Sequence, residues 1–139
     1  MFLVIATEQE KLRMQRIQNR CLRIAFLSDR YVTNHSLHIR ANLTSLKYRR
    51  KTAILMQMFR IKDKEKYRLH QRWILRNNVG PKLKVPKWKL AIFRRSIYYQ
   101  GPLLWNALDN EVRFIRDYDV FKLYITKLHY SEFVDDGYV

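Results

Sequence analysis

Cysteine occurs once in these 139 residues, and proline and glycine three times each. With Cys21 alone, an intrachain disulfide and a cysteine-based zinc site are both excluded, and a small apolar thiol is the simplest reading. So little proline and glycine argues against a low-complexity linker, and the 47% apolar and 14% aromatic fractions argue for a folded chain. Acid is the other scarcity: 12 Asp and Glu face 28 Lys and Arg, a net charge of +16. No run approaches the 18 or so apolar residues that span a bilayer, and residues 1–6 (MFLVIA) are too short and too poorly flanked for a secretory signal. The chain reads as a soluble, intracellular protein with no membrane partner; its charge is compatible with the nucleus.

That positive charge is unevenly placed. Residues 1–108 carry 24 Lys or Arg against 5 Asp or Glu, whereas residues 109–139 carry 4 against 7. The first part is therefore +19 and the remainder −3, with an acidic tail over 131–139. A field of that sign attracts polyanions, and neutralised phosphates release counterions, so RNA or DNA is the expected partner.

The pattern is mainly α, a small single helical domain over 1–139. TEQE at Thr7 has the form in which hydroxyl and carboxylate cap each other's end of a first turn, so a helix is expected from Thr7 to Phe26 or Leu27. On it Met14, Ile17, Cys21 and Ile24 make one apolar stripe, expected to pack. Arg13, Arg16, Arg20 and Arg23 fan out beside that stripe. A short helix over 36–41, capped by Thr33 or Asn34, carries His35 and His38, read as exposed or capping since no third ligand stands near. A second long helix begins at Thr44 or Ser45. Its first turns are basic (Lys47, Arg49, Arg50, Lys51), at the wrong end for the helix dipole, so packing or a bound anion must offset the repulsion.

Residues 62–90 form an irregular basic middle segment that interleaves cations with Tyr67, Trp73 and Trp88, a composition suited to single strands or RNA. A short extended stretch is expected over 96–100, where Ile97, Tyr98 and Tyr99 favour it, with Pro102 opening a short helix through Leu108. Trp105 reads as a packing anchor. A last helix is expected from Asp117 or Asp119, with Phe121, Tyr124 or Ile125, and Leu128 at core spacing. Phe133 to Asp136 (FVDD) looks like a metal-binding aspartate pair, but it lies at the end of the chain without a further Asp to complete a two-metal site. Neither a Gly-rich phosphate loop nor HExxH occurs, so no catalytic residue, metal site or cofactor is assigned.

The run RRSIYYQGPLLWNALDNEVR over 94–113 resembles the segment that follows the polymerase core in jockey-type non-long-terminal-repeat retrotransposon reverse transcriptases, of the form RRSF.Y.GP.LWNSLP..IR. Residues 14–26 (MQRIQNRCLRIAF) are similar to that family's LQRIQNRALRII, 46–60 to its L..RR....L..MYKI helix, 84–87 (KVPK) to its VPR, and 120–128 to its FK..LK..L ending. Phe93, Ala107 and Asp109 stand where glycine, serine and proline are usual.

The resemblance implies a noncatalytic tail whose full-length relatives would be RNA-directed DNA polymerases, either a truncated element or a reading frame opened at an internal methionine. Arg13, Arg16, Arg20, Arg23, Lys47, Arg49, Arg50, Lys51, Arg94 and Arg95 are the expected contacts to nucleic-acid backbone. The alternative is a protein-interaction fragment or non-functional remnant, exposing to another chain the apolar surface that packed on a polymerase core.

Overall fold

Thr7 opens the first helix as its sequence requires. Its hydroxyl accepts from the Glu10 amide at 3.3 Å while Glu10 Oε2 accepts from the Thr7 amide at 2.6 Å, and α1 runs over Glu8–Ala25. The computed structural model describes residues 6–63, 82–87 and 90–135, of which 62, 63 and 129–135 as backbone. Most of the irregular segment expected over 62–90, with Tyr67, Trp73 and Trp88, lies outside the described residues. So do Asp136 of the FVDD run and the end of the acidic tail.

Helix α1 stops where Leu27 adopts the left-handed conformation (φ 47°) and the Ser28 amide reaches back to the Arg23 carbonyl at 3.0 Å. Helix α2 (Asn34–Arg40) is capped by Thr33, whose hydroxyl accepts from the Ser36 amide at 3.2 Å. It ends at Asn42, also left-handed (φ 51°), a conformation asparagine tolerates well. Helix α3 covers Leu46–Asp63, and α4 (Ala91–Arg94), α5 (Ile97–Asn106), α6 (Asn110–Phe114) and α7 (Tyr118–Asp135) follow. The fold is mainly helical, and among the described residues no helix is long and apolar enough to cross a membrane.

The core lies where α3 packs on α5 and α7. Ile54, Leu55, Met58 and Phe59 from α3 meet Trp105 from α5, Phe121 and Ile125 from α7, with Leu108 and Val112 between them. Phe121 sits with its ring 4.6 Å from Phe59 and 5.7 Å from Trp105, at the centre of this cluster. Trp105 is a packing residue. Asp117 caps α7 by accepting from the Asp119 and Val120 amides at 2.8 and 2.9 Å. Phe121 and Ile125 then fall at helical spacing on the buried face, whereas Tyr124 stays exposed.

The extended stretch expected over 96–100 is instead the start of α5, which continues through Gly101 and Pro102. Local preference for strand loses to a helical stripe of four residues, Ile97, Gly101, Trp105 and Leu108, that all turn toward the core. Glycine at 101 is a matter of space. A β-carbon there would lie 2.4 Å from Met58 Sδ and 3.0 Å from Met58 Cγ, and Met58 is itself fully buried. Asn106, at the end of the same helix, clamps the chain at Leu83: it accepts from the Leu83 amide and donates to the Leu83 carbonyl, both at 2.8 Å. The side-chain amide thus satisfies both backbone groups of Leu83, which is buried in the core.

Gly101→Ala is expected to destabilise the fold by about 1–3 kcal/mol through overpacking. Combining it with Met58→Ala should cost clearly less than the sum of the two single changes, because the second substitution removes the atoms the first collides with. Urea denaturation of the four proteins checks this; strict additivity would show that the two residues do not press on each other.

Candidate nucleic-acid interface

The orientation of α1 decides what it offers to a partner, and polar groups set that orientation. Gln15 Oε1 accepts from the Leu46 amide at 2.9 Å, so a side chain of α1 caps the first turn of α3. On the same face His38 from α2 donates through Nδ1 to the Leu43 carbonyl at 3.0 Å and places Nε2 2.8 Å from Asn19 Oδ1. Leu22 is the one buried residue of α1. The packed arc is therefore Gln15, Gln18, Asn19 and Leu22, not the apolar stripe: Met14, Ile17, Cys21 and Ile24 are all exposed. His38 likewise departs from expectation, being fully buried rather than exposed or capping. The reason is shared. A hydrogen-bonded polar cluster, once satisfied, packs as well as an apolar one and fixes a unique register.

Turning that arc inward carries Arg13, Arg16 and Arg20 outward, where all three are exposed. The single salt bridge among the described residues is Lys11 to Glu8 at 2.6 Å, so none of these guanidiniums is paired with a described carboxylate. Arg23 differs: it is half-buried, donating to the Asp29 carbonyl at 3.2 Å and to Asn34 Oδ1 at 3.0 Å, and it serves to tie α1 to α2.

The basic start of α3 divides in two. Lys47 and Lys51 flank the buried Tyr48 ring at 5.6 and 5.4 Å, and Arg50 lies one turn beyond Lys47 on that side. Arg49 points elsewhere, lining a shallow cavity of about 300 Å³ with Thr44, Thr52, Ala53 and Thr126 of α7.

Charges from three parts of the chain act on the acids in the first turn of α1. Glu8 is held below the usual carboxylate range first by its hydrogen bond from Lys11 and then by the charges of Lys11, Arg50 and Arg95. Glu10 is lowered by the Thr7 backbone and hydroxyl, with Arg95 and Arg13 adding to the effect. Burial pushes the Arg50 guanidinium down and Glu8 draws it back; one of its terminal nitrogens is buried without a hydrogen-bond partner among the described residues. Arg95, just past α4, thus acts on both carboxylates, Arg50 of α3 on Glu8 and Arg13 on Glu10. Glu8 and the Gln15 cap supply the offset that the acid-free start of α3 requires. Arg94 is exposed on α4.

No group of three or more His, Cys, Asp or Glu is placed to hold a metal ion among the described residues. Compared with protein-family models, curated proteins and solved structures, the chain matches none.

The buried His38 gives the α1–α2–α3 junction a pH dependence. Burial lowers its pKa from 6.5, with the Leu43 hydrogen bond opposing and the His35 charge assisting. The unfolded chain therefore takes up this proton first: stability is complete above 6.5 and declines as pH falls from there toward the folded-state value. His38→Gln should be about 1–3 kcal/mol less stable at neutral pH. Its denaturation midpoint should change less than that of the parent chain between pH of about 7.5 and 5.5, a window set by the histidine reference value. Equal pH slopes in the two proteins would contradict this role.

Proposed function

We propose that this chain is a noncatalytic segment equivalent to the post-polymerase region of a jockey-type retrotransposon reverse transcriptase, and that it grips the backbone of RNA or DNA. The observation that carries the reading is the arc of Arg13, Arg16 and Arg20, exposed and outside any salt bridge among the described residues, in a chain of net charge +16. Guanidiniums one turn apart donate in planar forks that suit successive phosphate oxygens. Lys47, Arg50, Lys51 and Arg95 extend the same role toward the start of α3. Arg23 supports the arc from within, by its bonds to Asp29 and Asn34. In a longer relative such a surface would steady template or target strands beside the polymerase active site, while the bond-making chemistry stays in that core.

Mobility-shift titrations with a structured RNA and a DNA duplex at two salt concentrations test this. Tight binding at low salt that falls steeply with salt is expected, because each neutralised phosphate adds about 0.7–0.9 to the log–log slope. Substituting Arg13, Arg16 and Arg20 together by Gln should flatten that slope by about two to three, on the same principle. Substituting the exposed Arg116 by Gln, in the net-negative stretch over 109–139, should change it little. Unmeasurable binding of the parent chain at low salt, or an unaltered slope in the triple variant, would remove the proposal.

A further inference from the structure

Helix α1 carries apolar side chains that nothing in the described fold covers. Met14 is 39% exposed, Ile17 57% and Ile24 65%, and the thiol of Cys21 is exposed between them. These residues recur at intervals of three, four and three within about 80° of arc, centred about 130° from the packed face. Such spacing defines the a and d positions of a heptad, and so narrow a stripe is a coiled-coil seam rather than the broad apolar face of a helix lying on a membrane.

We propose that this stripe is the docking seam for an acidic amphipathic helix of another protein chain. Charge complementarity selects that occupant. Arg13 and Arg20, seven residues apart, stand at the g positions beside the seam, where the e positions of a parallel partner come to face them. Glutamates at those sites complete both guanidiniums while Leu or Ile covers Ile17 and Ile24. A second copy of this chain is a poorer fit: it would set Gln18 and Ala25 opposite these arginines and bring two bodies of +16 together. Phosphate polymers have no use for the stripe itself. The inference therefore does not depend on the backbone-gripping reading, and the apolar residues separate the two.

The test uses the full chain and a synthetic three-heptad peptide with Leu at a and d and Glu at e and g. Its controls are a scrambled peptide of the same charge, a Lys-for-Glu version and phosphatidylserine vesicles. The acidic peptide should bind by fluorescence anisotropy more tightly than either control peptide and should slow maleimide labelling of Cys21, the only cysteine in the chain. Ile17→Ser with Ile24→Ser should weaken that complex at least about tenfold, since two buried isoleucines are lost. Helicity and RNA affinity should not change, because both side chains are exposed in the free chain.

Equal binding of the scrambled or Lys peptide, or indifference to the double substitution, would overturn the proposal. So would self-association, or vesicle binding, that is abolished by that same pair of changes.

Discussion

Three polar side chains, Gln15, Asn19 and His38, decide which way α1 faces, and the surface that α1 presents follows from that. Gln15 caps α3, Asn19 meets His38, and His38 is held in turn by the Leu43 carbonyl. The cluster is buried enough that its hydrogen bonds are costly to lose, and directional enough that α1 has one rotation in which all of them form. A helix turned by about a third of a revolution would bury Ile17 and Ile24 at the expense of these bonds. It would also leave the first amide of α3 uncapped.

That junction sits on a conventional apolar core. The run from Arg94 to Arg113 contributes a set of fitted parts to it: Gly101 lets α5 approach Met58, Trp105 fills the space beside Phe121, and Asn106 clamps Leu83. Arg113 is buried and donates to the Asn106 carbonyl at 3.4 Å and to Asn110 Oδ1. The most distinctive stretch of the chain thus acts in folding. Arg13, Arg16 and Arg20 of α1, by contrast, stand exposed and outside any salt bridge among the described residues.

Much of the fold was legible in residue order. The Thr7 to Glu10 cap, a cap at Thr33 or Asn34, the limits of α1, the start of α7 and the anchoring role of Trp105 all follow from local chemistry, which acts over a few residues. What periodicity got wrong was direction. An amphipathic pattern identifies two faces but not which of them meets the rest of the protein, and for α1 the inward face was a third one, polar, whose partners His38 and Leu46 lie 19 and 31 residues further on. The helix over Ile97–Asn106 was hidden for a related reason: Gly101 reads as a break and Pro102 as the start of a new helix unless the close approach of Met58 is known. Among the ten basic candidates, exposure and partners separate Arg13, Arg16 and Arg20 from the engaged Arg23 and from Arg49, which faces α7.

The central claim is that α1 presents its arginines outward by burying its amides. Guanidinium Nε–H resonances report on each arginine separately, and following them during titration with a short RNA tests the claim most directly. The account predicts that Arg13, Arg16 and Arg20 shift together while Arg23 and Arg113, held by Asn34 and Asn110, remain in place. Uniform small shifts over all arginines, or movement of Arg23 and Arg113 ahead of the other three, would contradict it.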